Sequence, residues 1–307
     1  MAQTFLLDGP EAALRLKGAV CAVGVFDGVH VGHAAVARRA VAAAAESGIP
    51  SAIVTFDVDP DELFAAEGAR KLQSNDERIA MLAQLPVDYV AAIPFTRQFA
   101  ALPPAAFLDD VLGRMEPSRV LVGSDFRFGA RAAGDVRMLA EWGRRNAVGV
   151  EVVDLLEVAG APAKSTRIRH LLDDGDVKGA SELLGRPFSY AGCVCKGRGD
   201  GASLGFATAN LQVPPNRQLP ADGVYAGYAT VDGVRYKAAV SVGIPPTFAE
   251  GSRDNLEAHL LGFEGDLYGR DVRIEFVERL RPMRKFDDVD DLVAAVKDDI
   301  AWIEGNL

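Results

Sequence analysis

The sequence predicts two domains of different class, an α/β domain with a mostly parallel sheet over residues 1–185 and an antiparallel β-barrel over residues 186–307. Three observations predict it. In the first half short apolar runs alternate with helical stretches, the pattern of right-handed crossovers over a sheet covered on both faces. Beyond Gly185-Arg186-Pro187, which breaks a helix, the text changes to short strands separated by turn residues. A chain of 307 residues is also long enough to bury two cores of ordinary size.

Taken in order, residues 19–25, 51–56, 89–93, 120–122 and 148–153 read as buried strands. Residues 34–47, 77–85, 104–112 and 136–146 between them carry helix-forming residues. Residues 167–184 read as one helix, with Leu171, Leu172, Val177, Ala180, Leu183 and Leu184 as its buried stripe. Strands follow at 189–195, 223–231, 234–242, 257–261 and 272–280. Asp232-Gly233 is a hairpin signal that tolerates positive φ, and residues 289–304 close the chain as an amphipathic helix.

Apolar residues make up 49% and charged residues 25%, which argues against extensive disorder. No apolar run reaches the ~18 residues of a membrane span, and the N-terminus lacks the pattern of a secretion signal. A net charge of −10 argues against broad binding to nucleic-acid phosphates. Basic residues do cluster locally, at Arg167-Ile168-Arg169 and over 281–285, as expected for a small phosphorylated ligand. Cys193 and Cys195 are expected as buried strand thiols rather than zinc ligands, because two further ligands at suitable spacing are missing. Together with Cys21 they suit a reducing cytoplasm.

Two segments carry chemistry. Gly24-Val25-Phe26-Asp27-Gly28-Val29-His30-Val31-Gly32-His33 follows the first predicted strand and leads into a helix, where backbone N–H groups and the helix dipole favour phosphate. His30 and His33, two of the chain's four histidines, can both donate to phosphate oxygens in a transition state. The alternative is a glycine-rich turn with incidental histidines. Later, Lys164-Ser165-Thr166-Arg167-Ile168-Arg169 opens a helix; Ser165 or Thr166 could cap it, but cations at a helix start call for a nearby anion. In the second half Gly205-Phe206-Ala207-Thr208-Ala209-Asn210 offers the Thr208 hydroxyl and Asn210 carbonyl as hard ligands for Mg²⁺ carried with nucleotide phosphates. Lys196 opens a glycine-rich stretch through Gly201 that could fold over phosphates or be an ordinary hairpin turn.

The H-x-G-H spacing matches the nucleotidyltransferase superfamily. With Pro94-Phe95-Thr96, Gly123 to Gly129, Gly134-Asp135, Ser165 to Arg169, Leu184 to Pro187, Gly205 to Asn210, Gly223-Val224-Tyr225, Gly243 to Phe248 and Asp266 to Gly269 in the same order, nearly the whole chain resembles bacterial bifunctional riboflavin kinase/FAD synthetase. The resemblance implies a Rossmann-like nucleotidyltransferase domain followed by a riboflavin kinase barrel. It implies ATP as substrate in both, Mg²⁺ with it, riboflavin and FMN as flavin substrates, and FMN and FAD as products. By residue-wise resemblance Gly24, Phe26, Asp27, Gly28, His30, Gly32 and His33 handle ATP phosphates, and Asp125, Arg127, Ser165, Thr166, Arg167 and Arg169 shape the nucleotide pocket. Lys196 and Gly205 fall to nucleotide, Phe206, Arg281 and Phe286 to flavin, Thr208 and Asn210 to metal, and Glu257 to the general base. Judged on sequence, Glu257 could equally be a solvent-facing strand carboxylate.

Three positions depart from the family pattern: Asp59 stands for a histidine, Lys164 for a serine and Ala207 for a proline. Asp59 is expected to repel phosphate. Three readings therefore stand: an enzyme performing both steps; a relative with an altered transferase module, acting as kinase alone or on another nucleotide or flavin; and a non-catalytic flavin-binding regulator.

Overall fold

A computed structural model describes residues 1–64, 70–196, 206–243 and 256–307. Gly205, the glycine-rich stretch 197–201 and the motif at 245–248 lie outside them. The chain forms two compact units, Met1–Ser165 and Thr166–Leu307.

The first unit is built on six parallel strands: β1 (Gln3–Leu6), β2 (Val20–Val23), β3 (Ser51–Phe56), β4 (Tyr89–Ile93), β5 (Arg119–Gly123) and β6 (Gly149–Val153), in the spatial order β1-β4-β3-β2-β5-β6. Side-chain alternation sends the strands' residues into two cores. Cys21, Val23, Val54, Ile93, Val120 and Val122 pack on one face with Phe107 and Trp142. Val20, Ala22, Ile53, Val90 and Leu121 pack on the other against Val36, Ala37, Ala40 and Ala44 of α1 (Val31–Ser47). Burial on both faces is why these strands read as continuous apolar runs. Burial also pushes the Cys21 thiol up to about 12, so it behaves as a small core hydrophobe. Strand order reverses between β2 and β5, and the crevice beyond their carboxyl ends is where such sheets bind ligands. Edge strand β1 escapes the sequence pattern because its residues are mostly exposed.

The second unit begins one residue into α4 (Ser165–Asp173) and continues with α5 (Val177–Leu184), following α2 (Asn75–Leu82) and α3 (Val136–Asn146) of the first. The single helix expected here is interrupted. Gly175 turns left-handed at φ 78°, where any side chain would run into Arg279, and Asp176 restarts the helix by accepting from the Gly179 N–H at 2.8 Å. The barrel closes from β7 (Phe188–Cys195), β8 (Ala209–Leu211), β9 (Gly223–Val231), β10 (Val234–Val242), β11 (Leu256–Leu260) and β12 (Asp271–Arg281), in the order β7-β8-β11-β10-β9-β12. Tyr190, Tyr225, Leu256, Ala258 and Phe276 fill it. Asp232 and Gly233 are both left-handed, as the hairpin signal requires. α6 (Val289–Asn306) is capped by Asp288, which accepts from the Asp291 N–H.

The structure corrects one expectation about β7. Cys193 and Cys195 do share a face, but it is the exposed one, while Val194 between them points into the barrel. A period of two fixes that the thiols lie together, not which side faces water.

Candidate functional site

The loop leaving β2 reverses direction through three left-handed residues, Phe26 at φ 62°, Gly28 at 82° and Val29 at 39°. Two of them are not glycine, so the turn is strained, as at many functional sites. His30 then caps α1: its Nδ1 accepts the His33 backbone N–H at 3.3 Å, which leaves the ring proton on Nε2. The two imidazoles stack with centroids 3.5 Å apart, and the buried Phe26 ring sits edge-on to His33 at 5.2 Å. Gly32 makes that stack possible, since a Cβ there would lie 3.0 Å from the His30 ring. The result is a pair of nitrogen donors beside the amino end of a helix. Ser165 does not float free of it: its hydroxyl donates to the Asp27 carbonyl at 2.8 Å.

Across the crevice, the loop after β5 carries Asp125 and Arg127. Lys164 is paired with Asp125 at 2.8 Å, both half-exposed. Arg127 lies 3.8 Å from Asp135, which caps α3 and is held below the usual carboxylate range chiefly by the Met138 N–H. Asp125 and Arg127 sit on the wall of a cavity of about 850 Å³. Its lining is aromatic: Phe56, Phe95, Phe99, Phe107, Phe126 and Phe128. Edge-to-face and tilted contacts, such as Phe56–Phe95 at 5.0 Å and Phe107–Phe128 at 5.3 Å, fix these rings against one another. Such a slot suits a flat aromatic ligand of drug size. The sequence does not mark it as a site. The available signal was that five of the chain's fifteen phenylalanines fall between residues 95 and 128.

Behind the loop lies a buried charged layer that the sequence also concealed. The Arg78 guanidinium, 1% exposed, donates to the Val25 and Phe56 carbonyls, Thr55 Oγ1 and Asn75 Oδ1 at 2.7–3.1 Å. Burial lowers its pKa, while Asp59, Asp27, Glu62 and Asp57 oppose that shift. Asp59 is itself buried, its Oδ1 accepting the Asp61 N–H at 3.0 Å, and Lys71 is ion-paired to Glu62. Burial holds the Asp59 carboxyl above the ordinary range, with the Asp61 amide and the Arg78 and Lys71 cations pulling the other way. The folded state therefore binds this proton more tightly than the unfolded chain. The group favours folding at acid pH, and that contribution is lost as pH rises through its folded-state pKa. The non-titrating variant Asp59→Asn should accordingly gain in melting temperature relative to the parent between about pH 4 and pH 7. A difference that stays flat or falls over that range, measured by calorimetry, would contradict it.

In the barrel, register brings the predicted kinase residues together. Asn210 on β8 lies directly opposite Glu257 on β11, which lies opposite Ser241 on β10, so the three share one face. Thr208 Oγ1 donates to Glu257 Oε2 at 3.3 Å. Glu257 is thus a half-buried, hydrogen-bonded carboxylate rather than a fully solvated one. Phe206 stacks edge-on to His259 at 5.8 Å, and the His259 ring nitrogen bonds the Ala207 carbonyl at 2.9 Å. Beside the Glu257 carboxylate, the Thr208 hydroxyl and the Asn210 side-chain carbonyl are hard oxygen donors whose chemistry fits Mg²⁺. Among the described residues no group of three or more His, Cys, Asp or Glu could hold a metal ion.

The remaining predicted residues fall elsewhere. Lys196 is exposed at the end of β7, and Thr166, Arg167 and Arg169 lie on the first turns of α4 in the second unit. Arg281 grips the buried Asp299 of α6 with three hydrogen bonds of 2.9–3.3 Å, and Phe286 packs beneath Arg281 and Arg284. Burial raises the Asp299 pKa and Arg281 counters it.

Comparison with known proteins covers the same two regions. The FAD synthetase family model matches residues 13–167 and the riboflavin kinase model matches residues 184–307. The bifunctional riboflavin kinase/FMN adenylyltransferase of Pseudomonas fluorescens is 35% identical over 93% of this chain and 92% of its own. The protein of the same name from Escherichia coli K12 is 36% identical over 92% and 91%. A crystal structure of a macrolide-efflux protein from Streptococcus pneumoniae superposes with a TM-score of 0.87 at 29% identity over 99% of both chains. That likeness is one of fold. Among the described residues no helix of this chain is long and apolar enough to cross a membrane.

Proposed function

The chain belongs to the bifunctional riboflavin kinase/FMN adenylyltransferase family, and from that premise we propose how its two sites divide the work. It is an enzyme of flavin-nucleotide synthesis that phosphorylates riboflavin to FMN and adenylylates FMN to FAD, drawing on ATP for both. The observation that carries the division of roles is the pairing of two unlike oxyanion-handling centres, a stacked histidine pair at a helix start and a carboxylate hydrogen-bonded to a threonine on a barrel wall.

At the transferase centre the aromatic cavity takes the FMN ring and leaves its phosphate at the crevice. A phosphate oxygen attacks the α-phosphorus of ATP, the bond to the bridging oxygen breaks, and pyrophosphate leaves. His30 and His33 donate hydrogen bonds to the charge that builds on the phosphoryl oxygens, and the α1 amino end adds its dipole. Gly24, Phe26, Asp27, Gly28 and Gly32 hold that turn in shape, while Asp125, Arg127 and Ser165 border the nucleotide; the family resemblance assigns Thr166, Arg167 and Arg169 to the nucleotide as well.

At the kinase centre Glu257 takes the proton from the riboflavin 5′-hydroxyl as that oxygen attacks the γ-phosphorus, and ADP leaves. Thr208 orients the carboxylate, and Thr208 and Asn210 would hold Mg²⁺. When bound, the ion neutralises phosphate charge. Lys196 and Gly205 serve the nucleotide, and Phe206, Arg281 and Phe286 the flavin. Arg281 does so while anchored to Asp299, which supports a structural share in its role.

The proposed module boundary is residue 185, supported by the left-handed glycine that ends α5 and by the start of the riboflavin kinase match at residue 184, while the compact units themselves divide between Ser165 and Thr166. The cytoplasm is the proposed compartment, supported by three free thiols. Incubation of the pure protein with riboflavin and MgATP, followed by chromatography, tests the whole reading. FMN and FAD together are expected. FMN alone would mark the transferase module as altered, and neither product would point to a binding protein.

A further inference from the structure

Resting on the adenylyl-transfer reading above, we propose that Lys164 is a mobile phosphate ligand of the transferase site, parked on Asp125 when the site is empty and moving to the triphosphate of ATP, then to the departing pyrophosphate. Its backbone is pinned on both sides. The Ala163 N–H donates to the Leu156 carbonyl at 2.8 Å, and the Ser165 hydroxyl donates to the Asp27 carbonyl of the phosphate turn at 2.8 Å. Only the side chain is free to swing, and it reaches across the crevice to the loop after β5, where Nζ meets Asp125 at 2.8 Å.

Folding does not explain this pair. The two side chains are 42% and 53% exposed, and ion pairs so solvated add little to stability. Binding does explain it. An unpaired Asp125 at the pocket rim would repel an incoming polyphosphate, and the lysine cancels that charge. The ammonium is a point charge on a flexible stem with three donors, able to leave a single carboxylate for a more highly charged phosphate. An arriving nucleotide therefore exchanges partners with Lys164 rather than overcoming a fixed barrier. Lysine performs here a task that the compact serine of the family pattern could not, because a hydroxyl carries no charge.

The test uses the full chain with Lys164→Gln, Lys164→Arg and the double variant Lys164→Gln/Asp125→Asn. FAD formation is measured at varied MgATP, and magnesium pyrophosphate is titrated calorimetrically. Lys164→Gln should raise KM for ATP and weaken pyrophosphate binding by about tenfold, the loss of one charge-assisted hydrogen bond, with a smaller change in kcat. Lys164→Arg should recover most of it, and the melting temperature should not move. Riboflavin phosphorylation in the barrel serves as the check on folding. Unchanged KM and pyrophosphate affinity in Lys164→Gln would overturn the proposal. So would wild-type nucleotide affinity in the double variant, because Lys164 would then serve only to neutralise Asp125. If the parent made no FAD, the adenylyl-transfer reading would fall, and the pyrophosphate titration would still decide the role of Lys164.

Discussion

Glu257→Gln is expected to cut riboflavin phosphorylation by about 10³-fold while FAD formation from supplied FMN continues at the parental rate. Glutamine keeps the size of the side chain and can still accept from the Thr208 hydroxyl now 3.3 Å from Glu257 Oε2. It removes only the ability to take a proton. Position 257 is clamped in register between β8 and β10, so the variant has no new backbone to adopt. The loss should therefore appear in kcat, with little change in KM for riboflavin. It should shrink as pH is raised, when the substrate hydroxyl depends less on a base. A variant that still phosphorylates riboflavin at more than a tenth of the parental rate would remove Glu257 from the role of base.

His33→Ala should produce the mirror image, about 10²–10³-fold less FAD from FMN with FMN formation intact. The substitution deletes the imidazole stacked 3.5 Å from His30 but not the backbone N–H that His30 accepts, so the helix cap survives. It also removes the edge-on contact with Phe26, whose ring stays held by the core around it. Because the lost interactions belong to the charge that develops during transfer, kcat and kcat/KM should fall together. A change confined to KM would mean that His33 binds ATP without stabilising the transfer. Loss of both activities in a folded protein would refute two separable sites.

Much of this was legible in the sequence, for identifiable reasons. Buried parallel strands and a hairpin at Asp232-Gly233 announce themselves through apolar runs and turn chemistry, and the H-x-G-H spacing falls where a strand meets a helix. What stayed hidden depends on residues far apart in the chain. Asn210 and Glu257 become neighbours only through strand register, and Phe56 joins the phenylalanines at 95–128 only after the sheet has formed. Arg78 offers no sequence signal, since a buried guanidinium and a solvated one are spelled alike. From sequence Asp59 is a charge set to repel phosphate, whereas it is buried, with its ionisation opposed by that burial. The side on which Cys193 and Cys195 face was likewise beyond a pattern that fixes only periodicity.

The left-handed backbone at Phe26 and Val29 bears on how this enzyme can be engineered. Each non-glycine residue held there costs on the order of 1 kcal/mol, repaid by tertiary packing around the turn. A glycine at position 26 would relax the chain yet remove the ring that borders His33. The ring is part of the hydrophobic core, and deleting a buried phenylalanine costs about 3–5 kcal/mol, more than the strain it would relieve, so heat resistance and FAD synthesis should be lost together. Screens meant to harden the protein should therefore leave the segment from Gly24 to His33 outside the mutated set.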